Sequence, residues 1–355
     1  MQLIPVQPTR TDIRLIDAPN QQRQPDASII NITPLNIDNN TQEDTIRKNT
    51  TNHFIEANTK EVDIYHLKNE CVVPVFSKDN EITISHSNFI DTVCSAAHKF
   101  FYNETILKPE IRVSHVIKGR IPEAINKPVN QLLESDKTIY YERMAFCFEI
   151  PSIYEDIEGN RLNLSIGGVR AYNHENLYSK KSAEKFKIFI GFKNLVCCNM
   201  CVSTDGYKDE IKVMSSTDLF NAVINLFQLY NPAKHLHLMH SFKNTYMTEH
   251  QFAQFIGKSK LYQCLSPKDK KLLPEMIFTD NHINAVAKSY YNDDNFKVDN
   301  KANEIGLWNV YNLFTGANKN SYIDNFLDRS LNATTLTEGI NRALHGDREY
   351  KWFVE

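Results

Sequence analysis

Strand-like and helix-like patterns occupy separate parts of this chain, which has 355 residues. Between residues 61 and 214, runs of alternating or β-branched residues such as 138–150 and 161–166 predict strands. Between residues 215 and 346, apolar residues recur every three or four positions and predict helices. Because the strands precede the helices and do not alternate with them, the sequence predicts an α+β fold. We expect a mostly antiparallel central sheet over about residues 61–204, with the helical half packed against it.

Two local patterns add detail to this expectation. Gly167 and Gly168 follow an alternating strand, which predicts either a β-bulge or a close approach of two backbones. Ser266 followed by Pro267 predicts a helix N-cap with proline at the first helical position.

The first 60 residues differ in composition from the rest of the chain. They contain no Tyr, Trp or Cys, their one aromatic residue is Phe54, and they hold five of the 13 prolines. Such a segment buries too little apolar surface to offset the entropy lost on ordering. We therefore predict a disordered polar leader over residues 1–60 and a single α+β domain over residues 61–355. The alternative is that the leader binds a protein partner as a short extended strand.

The overall composition excludes some classes of protein. Forty Lys and Arg residues against 43 Asp and Glu residues give a formal net charge of -3, which excludes a protein that is basic throughout. No apolar run approaches the roughly 18 residues of a transmembrane helix, so no membrane partner is expected. The N-terminal residues show no basic stretch followed by an apolar one, so we expect no signal peptide and a cytoplasmic location.

Seven cysteines are present, and Cys197, Cys198 and Cys201 form a cluster with metal-ligand spacing. Structural zinc sites need a second pair of ligands at similar spacing, and the sequence supplies none. Buried free thiols are therefore the favoured interpretation and a zinc site is the alternative, so no metal is predicted. The histidines between residues 235 and 240 are interpreted as the polar side of a helix.

Signatures of enzymes are also missing. The chain has no phosphate loop, no complete dinucleotide fingerprint and no Gly-x-Ser-x-Gly elbow, and its carboxylates are scattered. The sequence thus leans against an enzyme, predicts no catalytic residue and no cofactor, and leaves open an enzyme whose residues meet only in three dimensions.

Positive charge is concentrated in two segments. Residues 161–193 and residues 234–271 each contain seven basic and two acidic residues, a net charge of +5 for each segment. Residues 275–355 compensate with twelve acidic and eight basic residues. A solvated polar face is the plain interpretation of such segments, and nucleic-acid binding is the functional one.

The first basic segment also carries aromatic rings. A strand of period two places Lys185 and Lys187 on one face, where they could follow a phosphate backbone while Tyr172 stacks on a base. The predicted nucleic-acid contacts are Arg161, Arg170, Tyr172, Lys180, Lys181, Lys185, Lys187 and Lys193.

Two short motifs carry a resemblance to a known family. The strand-like stretch 186–200 ends in Val196-Cys197-Cys198-Asn199, and a later helical stretch contains Trp308-Asn309-Val310-Tyr311-Asn312. In these motifs and their order the chain resembles a domain of unknown function carried by plasmids and phages, in a branch found on mobile elements of gut bacteria. The resemblance covers roughly residues 60–350. It implies no established activity, and through mobile elements it suggests DNA maintenance, transfer or annealing.

The family motif residues are Asn199, Trp308 and Asn312. An asparagine after a buried strand can fix a neighbouring backbone group or bind a ligand at the end of the strand, and the structural role is favoured. Trp308 is interpreted as a core residue and not as a platform for a base.

Together these features predict a non-enzymatic, sequence-tolerant DNA-binding protein of a mobile genetic element, for binding or annealing single strands. The alternative is a protein-interaction or host-inhibitory factor of a plasmid or phage that binds no nucleic acid. The expected partners are single-stranded DNA, a protein bound through the leader, and a second copy of the chain.

Overall fold

A computed structural model describes residues 53–71, 83–124, 126–175, 183–292 and 303–355, together with a short strand at Arg14–Leu15. The predicted α+β class is confirmed, because an antiparallel sheet in the first half is followed by helices in the second. No helix within these ranges is long and apolar enough to cross a membrane.

Most of the predicted leader lies outside the described residues. Its last part, residues 53–60, is described and lies against the domain. Phe54 and Ile55 are buried, and the Phe54 ring centroid lies 5.9 Å from that of Phe326. The packed part of the chain therefore begins before residue 61, and disorder of the earlier residues stays a prediction.

The strands lie mainly in the first half of the chain and the helices mainly in the second. The first half contains β1 (Arg14–Leu15), β2 (Lys60–Glu61), α1 (Ile64–Asn69), α2 (His86–Phe100), β3 (Glu110–Val113), β4 (Val116–Arg120), β5 (Lys137–Tyr141), β6 (Arg143–Ile157), β7 (Asn160–Ala171), β8 (Glu184–Asn194), β9 (Met200–Cys201) and β10 (Tyr207–Val213). The second half contains α3 (Ser216–Leu229), α4 (Pro232–Lys243), β11 (Tyr246–Thr248), α5 (Glu249–Cys264), α6 (Pro267–Lys270), α7 (Asp280–Asn292), β12 (Glu304–Gly306), α8 (Leu307–Asn318) and α9 (Ile323–Leu344).

Within the described ranges, eight strands form the central sheet, and every pair in it is antiparallel. The order is β10–β8–β7–β6–β3–β2, with β1 paired to β6 and β9 paired to β8. The long strands β6 and β7 are joined by a tight turn in which Glu158 and Gly159 both have positive φ, 50° and 74°. That geometry matches the right-handed twist of the two strands that the turn connects.

Gly167 and Gly168 lie in the middle of β7, where neighbouring groups come too close for a side chain. A Cβ at Gly167 would collide with the Phe146 carbonyl oxygen, and one at Gly168 would lie 2.6 Å from the Phe89 ring. The register between β6 and β7 runs without a break past both glycines. Of the two predicted alternatives, the close approach is therefore the one observed.

Both faces of the sheet are covered. On one face, Phe89 of α2 packs against Phe146 and Phe186, with ring centroids 5.2 and 4.7 Å away. On the other face, a smaller cluster joins the sheet to Phe326 and Leu327 of α9. Each fully buried large apolar side chain of this kind contributes about 1.5–3 kcal/mol of transfer free energy.

Helix α8 lies at the centre of the helical half. Its residues Trp308, Tyr311 and Phe314 are buried, so Trp308 is a core residue. The short helix α6 begins as predicted, with Ser266 accepting a hydrogen bond from the Asp269 amide at 3.2 Å and Pro267 in the first turn.

Candidate nucleic-acid interface

Arg170 lies inside the protein, with only 1% of its surface exposed. Its guanidinium carbon sits 4.5 Å from the ring centroids of both Tyr172 and Phe186, and the group forms ion pairs with Glu175 and Glu184. Tyr172 is buried as well. Because neither side chain can reach a phosphate or a base from this position, the structure assigns Arg170 and Tyr172 to the interior and not to the predicted interface.

Lys193 is the second basic residue that the fold places inside. It is 6% exposed, and its Nζ lies 3.2 Å from Glu149 and 3.3 Å from Glu110. Burial alone would lower the pKa of Lys193, but Cys147 and the two glutamates hold that pKa above its ordinary value. Lys193 is therefore a permanent internal cation, and this placement also departs from the predicted interface.

Lys185 and Lys187 are partly exposed, and both are paired. Lys185 Nζ lies 2.6 Å from Glu210 of β10, and Lys187 Nζ lies 2.5 Å from Asp328 of α9. Carboxylates from two other elements thus surround the strand face that the sequence predicted to be positive. The fold places acidic groups where a phosphate backbone was expected.

Arg161 is half-buried at the start of β7. Its guanidinium carbon lies 4.2 Å from the Tyr154 ring centroid, and its Nη2 donates a hydrogen bond of 3.0 Å to the Pro151 carbonyl. Lys180 and Lys181 lie outside the described residues. The eight predicted contacts are thus not assembled into one exposed surface by the residues that the structure describes.

The second basic segment places its lysines at the surface. In helix α5 the side chains of Phe252, Phe255 and Tyr262 face the core, which leaves the lysines of the same helix toward solvent. We call the resulting region the lysine–tryptophan surface; it consists of Lys258, Lys268, Lys270, Lys271 and Trp352. Lys260 lies apart from it, because its Nζ contacts Asn284 at 2.5 Å and Asp280 at 4.0 Å in α7. Among the described residues, Lys268 and Lys271 form no ion pair with a carboxylate.

Aromatic rings connect these lysines. Lys258 Nζ lies 4.8 Å from the ring centroid of Trp352. The ring centroids of Trp352 and Tyr262 are 6.5 Å apart. Lys270 Nζ lies 5.3 Å from the same Tyr262 ring. Two lysines therefore flank a pair of rings, of which Tyr262 is buried and Trp352 is partly exposed, and an exposed ring beside ammonium groups is an arrangement that binds single-stranded nucleic acids.

Trp352 could not be joined to this surface from the sequence. It lies 94 positions after Lys258, in a short turn at the end of the chain. The turn is held by Phe353, which is buried against Phe255 and Tyr262 at centroid distances of 5.9 and 6.1 Å. The buried Phe353 therefore fixes its neighbour Trp352 beside the lysines.

The two family motifs meet in a cluster of buried amides. Asn199 Nδ2 donates to the Asn312 carbonyl at 3.0 Å, and Asn194 Nδ2 donates to Asn312 Oδ1 at 3.3 Å. Asn312 Nδ2 in turn donates to the Trp308 carbonyl at 2.9 Å. The cluster ties the turn after β8 to helix α8, which supports the structural role for Asn199 and Asn312.

The cysteine cluster lies in the same turn. Cys198 has a φ of 56°, and Cys197, Cys198 and Cys201 are all free thiols. Burial raises the pKa of Cys201 to about 12, so this thiol stays protonated at neutral pH. The described residues contain no group of three or more His, Cys, Asp or Glu side chains placed to hold a metal ion.

Ser321 and His282 lie at hydrogen-bond distance beside a cleft of about 520 Å³. The Thr279 amide donates to His282 Nδ1 at 3.2 Å, and burial and the nearby Arg329 lower the pKa of His282 to about 4. The neutral ring therefore carries its proton on Nε2, which faces Ser321 Oγ at 3.0 Å. A base that activates a serine needs a free lone pair at that position, so His282 does not activate Ser321 as a nucleophile.

Two other buried histidines predict how stability depends on pH. Burial lowers the pKa of His235 to about 4, and burial together with Arg170 lowers that of His86 to about 3, from the ordinary 6.5. Because these histidines bind protons at a higher pH in the unfolded chain than in the folded one, the neutral rings contribute their full stability above pH 6.5. That contribution is lost as the pH falls toward 4. Between pH 7 and pH 5 we expect the free energy of unfolding to fall by about 2 kcal/mol for each histidine.

Urea unfolding of His235→Gln at the two pH values tests this expectation. The variant should lose about 2 kcal/mol less than the wild type over that interval, whereas His98→Gln, at an exposed position of α2, should behave like the wild type. An unchanged pH dependence in His235→Gln would contradict the assignment of His235 as a buried neutral group.

Comparison with known proteins gives one match. A family model described as "Domain of unknown function, B. Theta Gene description (DUF3871)" matches residues 36–354. No curated protein matches the chain. No solved structure matches it either.

Proposed function

Because the chain belongs to this uncharacterised family, we propose a function from its own residues: it binds single-stranded DNA, without sequence preference and without catalysis, through the lysine–tryptophan surface. The observation that carries the proposal is the partly exposed ring of Trp352 beside Lys258, with Lys268, Lys270 and Lys271 in and directly after the next helix, α6. We place the contacts on the second basic segment and not on the first, because in the first Arg170 and Lys193 are buried and Lys185 and Lys187 are paired with carboxylates.

The physical basis is electrostatic. Each lysine that neutralises a phosphate releases a counterion, so affinity for a single strand falls with salt at a slope of about -0.7 per contact. Stacking of a base on an aromatic side chain adds about 1–3 kcal/mol. The four lysines supply attraction that is independent of sequence, and Trp352 supplies a partly exposed ring beside Lys258.

Tryptophan fluorescence offers a direct test. The chain has two tryptophans, and Trp308 is 0% exposed, so quenching by an added oligonucleotide reports on Trp352. We expect a thymidine 20-mer at low salt to quench the emission of the wild type. Trp352→Phe should still bind the same oligonucleotide, as measured by anisotropy, but the emission of its remaining tryptophan, Trp308, should not change on binding.

Substitution of three lysines gives the largest effect on binding. In Lys268→Gln/Lys270→Gln/Lys271→Gln we expect the slope of log K against log salt to become shallower by about 2, the sum for three phosphates. The matched control is Lys99→Gln/Lys108→Gln/Lys118→Gln, which removes the same charge at exposed positions elsewhere. Equal slopes for the two variants, or no binding by the wild type in low salt, would rule the proposal out.

The mobile-element setting is part of the same proposal. The resemblance of its motifs to plasmid-borne and phage-borne proteins suggests a role in the maintenance, transfer or annealing of the DNA of such elements. Transfer or phage genes on both sides of its gene would support this setting, and a chromosomal neighbourhood without them would contradict it.

A further inference from the structure

A charged cleft lies where β8, β10 and the first turns of α9 meet, with a volume of about 340 Å³. Four of its lining residues are acidic, and we call it the acidic cleft: Asp209, Glu210, Asp324 and Asp328. Two lysines, Lys185 and Lys187, also line it.

Two of the four carboxylates are already neutralised by neighbours. Glu210 lies 2.6 Å from Lys185 and 2.8 Å from Lys212, and the hydrogen bonds of these lysines lower its pKa to about 2. Asp328 accepts hydrogen bonds of 2.5 Å from both Lys187 and the Tyr207 hydroxyl. Among the described residues, no lysine forms an ion pair with the carboxylates of the other two, Asp209 and Asp324.

Asp324 is the unusual member. It is only 9% exposed, and its Oδ1 has no hydrogen-bond partner among the described residues. Its Oδ2 forms an ion pair with Arg143, whose Nε lies 3.6 Å away, and faces His174 Nε2 at 3.4 Å, and the distance to Arg143 is longer than an ordinary N–H···O bond. A buried carboxylate oxygen without a donor carries a desolvation cost that an added N–H group would relieve.

The rest of the cleft suits a long cationic side chain. Val169, Ala171 and Phe186 supply apolar lining for a methylene stem, while the acidic groups receive the charged head.

The position of the cleft favours a peptide over a small amine. Asp209 and Glu210 sit at an irregularity of β10, between Lys208 and Ile211, and β10 is the edge strand of the sheet in the part of the chain that the structure describes. An extended segment along that edge can form backbone hydrogen bonds while one of its side chains enters the cleft.

We propose that the acidic cleft binds an arginine or lysine side chain of a basic peptide from a protein partner. The inference stands on Asp324 and the charge of the cleft, and it does not depend on nucleic-acid binding. A polyamine offers the same ammonium chemistry, and the experiment separates the two sources.

The test uses the full chain and a fluorescein-labelled peptide of alternating arginine and threonine, eight residues long, followed by anisotropy. Asp324→Asn is expected to weaken binding at least tenfold, and Asp209→Asn should weaken it in the same direction without touching the buried residues. Asp218→Asn, an exposed carboxylate in α3, is the matched control and should bind like the wild type.

Three results would overturn the proposal. The first is no binding of the peptide by the wild type, and the second is equal affinity of the wild type, Asp324→Asn and Asp209→Asn for the peptide. The third is displacement of the peptide by spermidine together with equal affinity for the peptide and for free arginine amide, since we expect arginine amide, which lacks the peptide backbone, to bind more weakly. DNA binding should be unchanged in Asp324→Asn, so failure of this inference is distinguishable from failure of the proposed function.

Discussion

Replacing Arg170 with alanine is expected to lower the free energy of unfolding by about 3–5 kcal/mol. The substitution would leave Glu175 and Glu184 without their cation, and these side chains are only 3% and 16% exposed. It would also remove the group that fills the space between Tyr172 and Phe186. Urea unfolding followed by circular dichroism measures the loss.

The control for this prediction is Arg348→Ala, which removes an exposed arginine and should change stability by less than about 0.5 kcal/mol. If Arg170→Ala fails to fold, Arg170→Met combined with Glu175→Gln and Glu184→Gln should restore a folded chain, because no buried charge is then left alone. Full stability of Arg170→Ala would place the guanidinium at the surface and return it to the set of candidate DNA contacts.

The fold class could be predicted because its signals are local. Alternation along residues 161–166 and the Ser266–Pro267 pair each depend on neighbours a few positions away, and both lie where predicted, in β7 and at the start of α6. The pairing of the strands is not local, and the close approach of β7 and β6 at Gly167 became distinguishable from a bulge only in the sheet itself.

The candidate interface could not be predicted, because charge counts along a segment say nothing of partners from elsewhere. Lys187 meets Asp328 across 141 positions, and Lys193 meets Glu110 across 83. Each pair forms only because apolar packing brings distant strands and helices together. The charge pattern within one segment does not predict that packing. A segment with a charge of +5 can therefore lie in a surface region that is acidic overall.

The amide cluster is an intermediate case. The resemblance singled out Asn199 and Asn312 separately, and the sequence favoured a structural role for both. Their contact across 113 positions required the fold, since the turn after β8 must reach helix α8. A motif can thus mark the residues of a tertiary contact without revealing which two elements are in contact.

The contact between the turn after β8 and helix α8 is the basis of the second large predicted effect on stability. Asn312→Ala is expected to lower the free energy of unfolding by about 2–4 kcal/mol, because buried amide donors lose an acceptor and a cavity replaces the side chain. Asn194 Nδ2 loses its bond to Oδ1, and the Trp308 carbonyl loses the donor it now has at 2.9 Å. Urea unfolding measures the change, and Asn325→Ala, at an exposed position of α9, should stay within about 0.5 kcal/mol of the wild type.

A double-mutant cycle separates the interaction energy of Asn199 and Asn312 from a general loss of packing. If Asn199 and Asn312 act as one hydrogen-bonded unit, the cost of Asn199→Ala/Asn312→Ala should fall short of the sum of the single costs by about 0.5–3 kcal/mol. Strict additivity would mean that the two side chains contribute independently, against the contact of 3.4 Å between Asn199 Nδ2 and Asn312 Oδ1; the bond of 3.0 Å to the Asn312 backbone carbonyl is kept in Asn312→Ala. If this contact is purely structural, as its burial argues, Asn312→Ala should also leave the affinity for the thymidine 20-mer unchanged under conditions where the variant is folded.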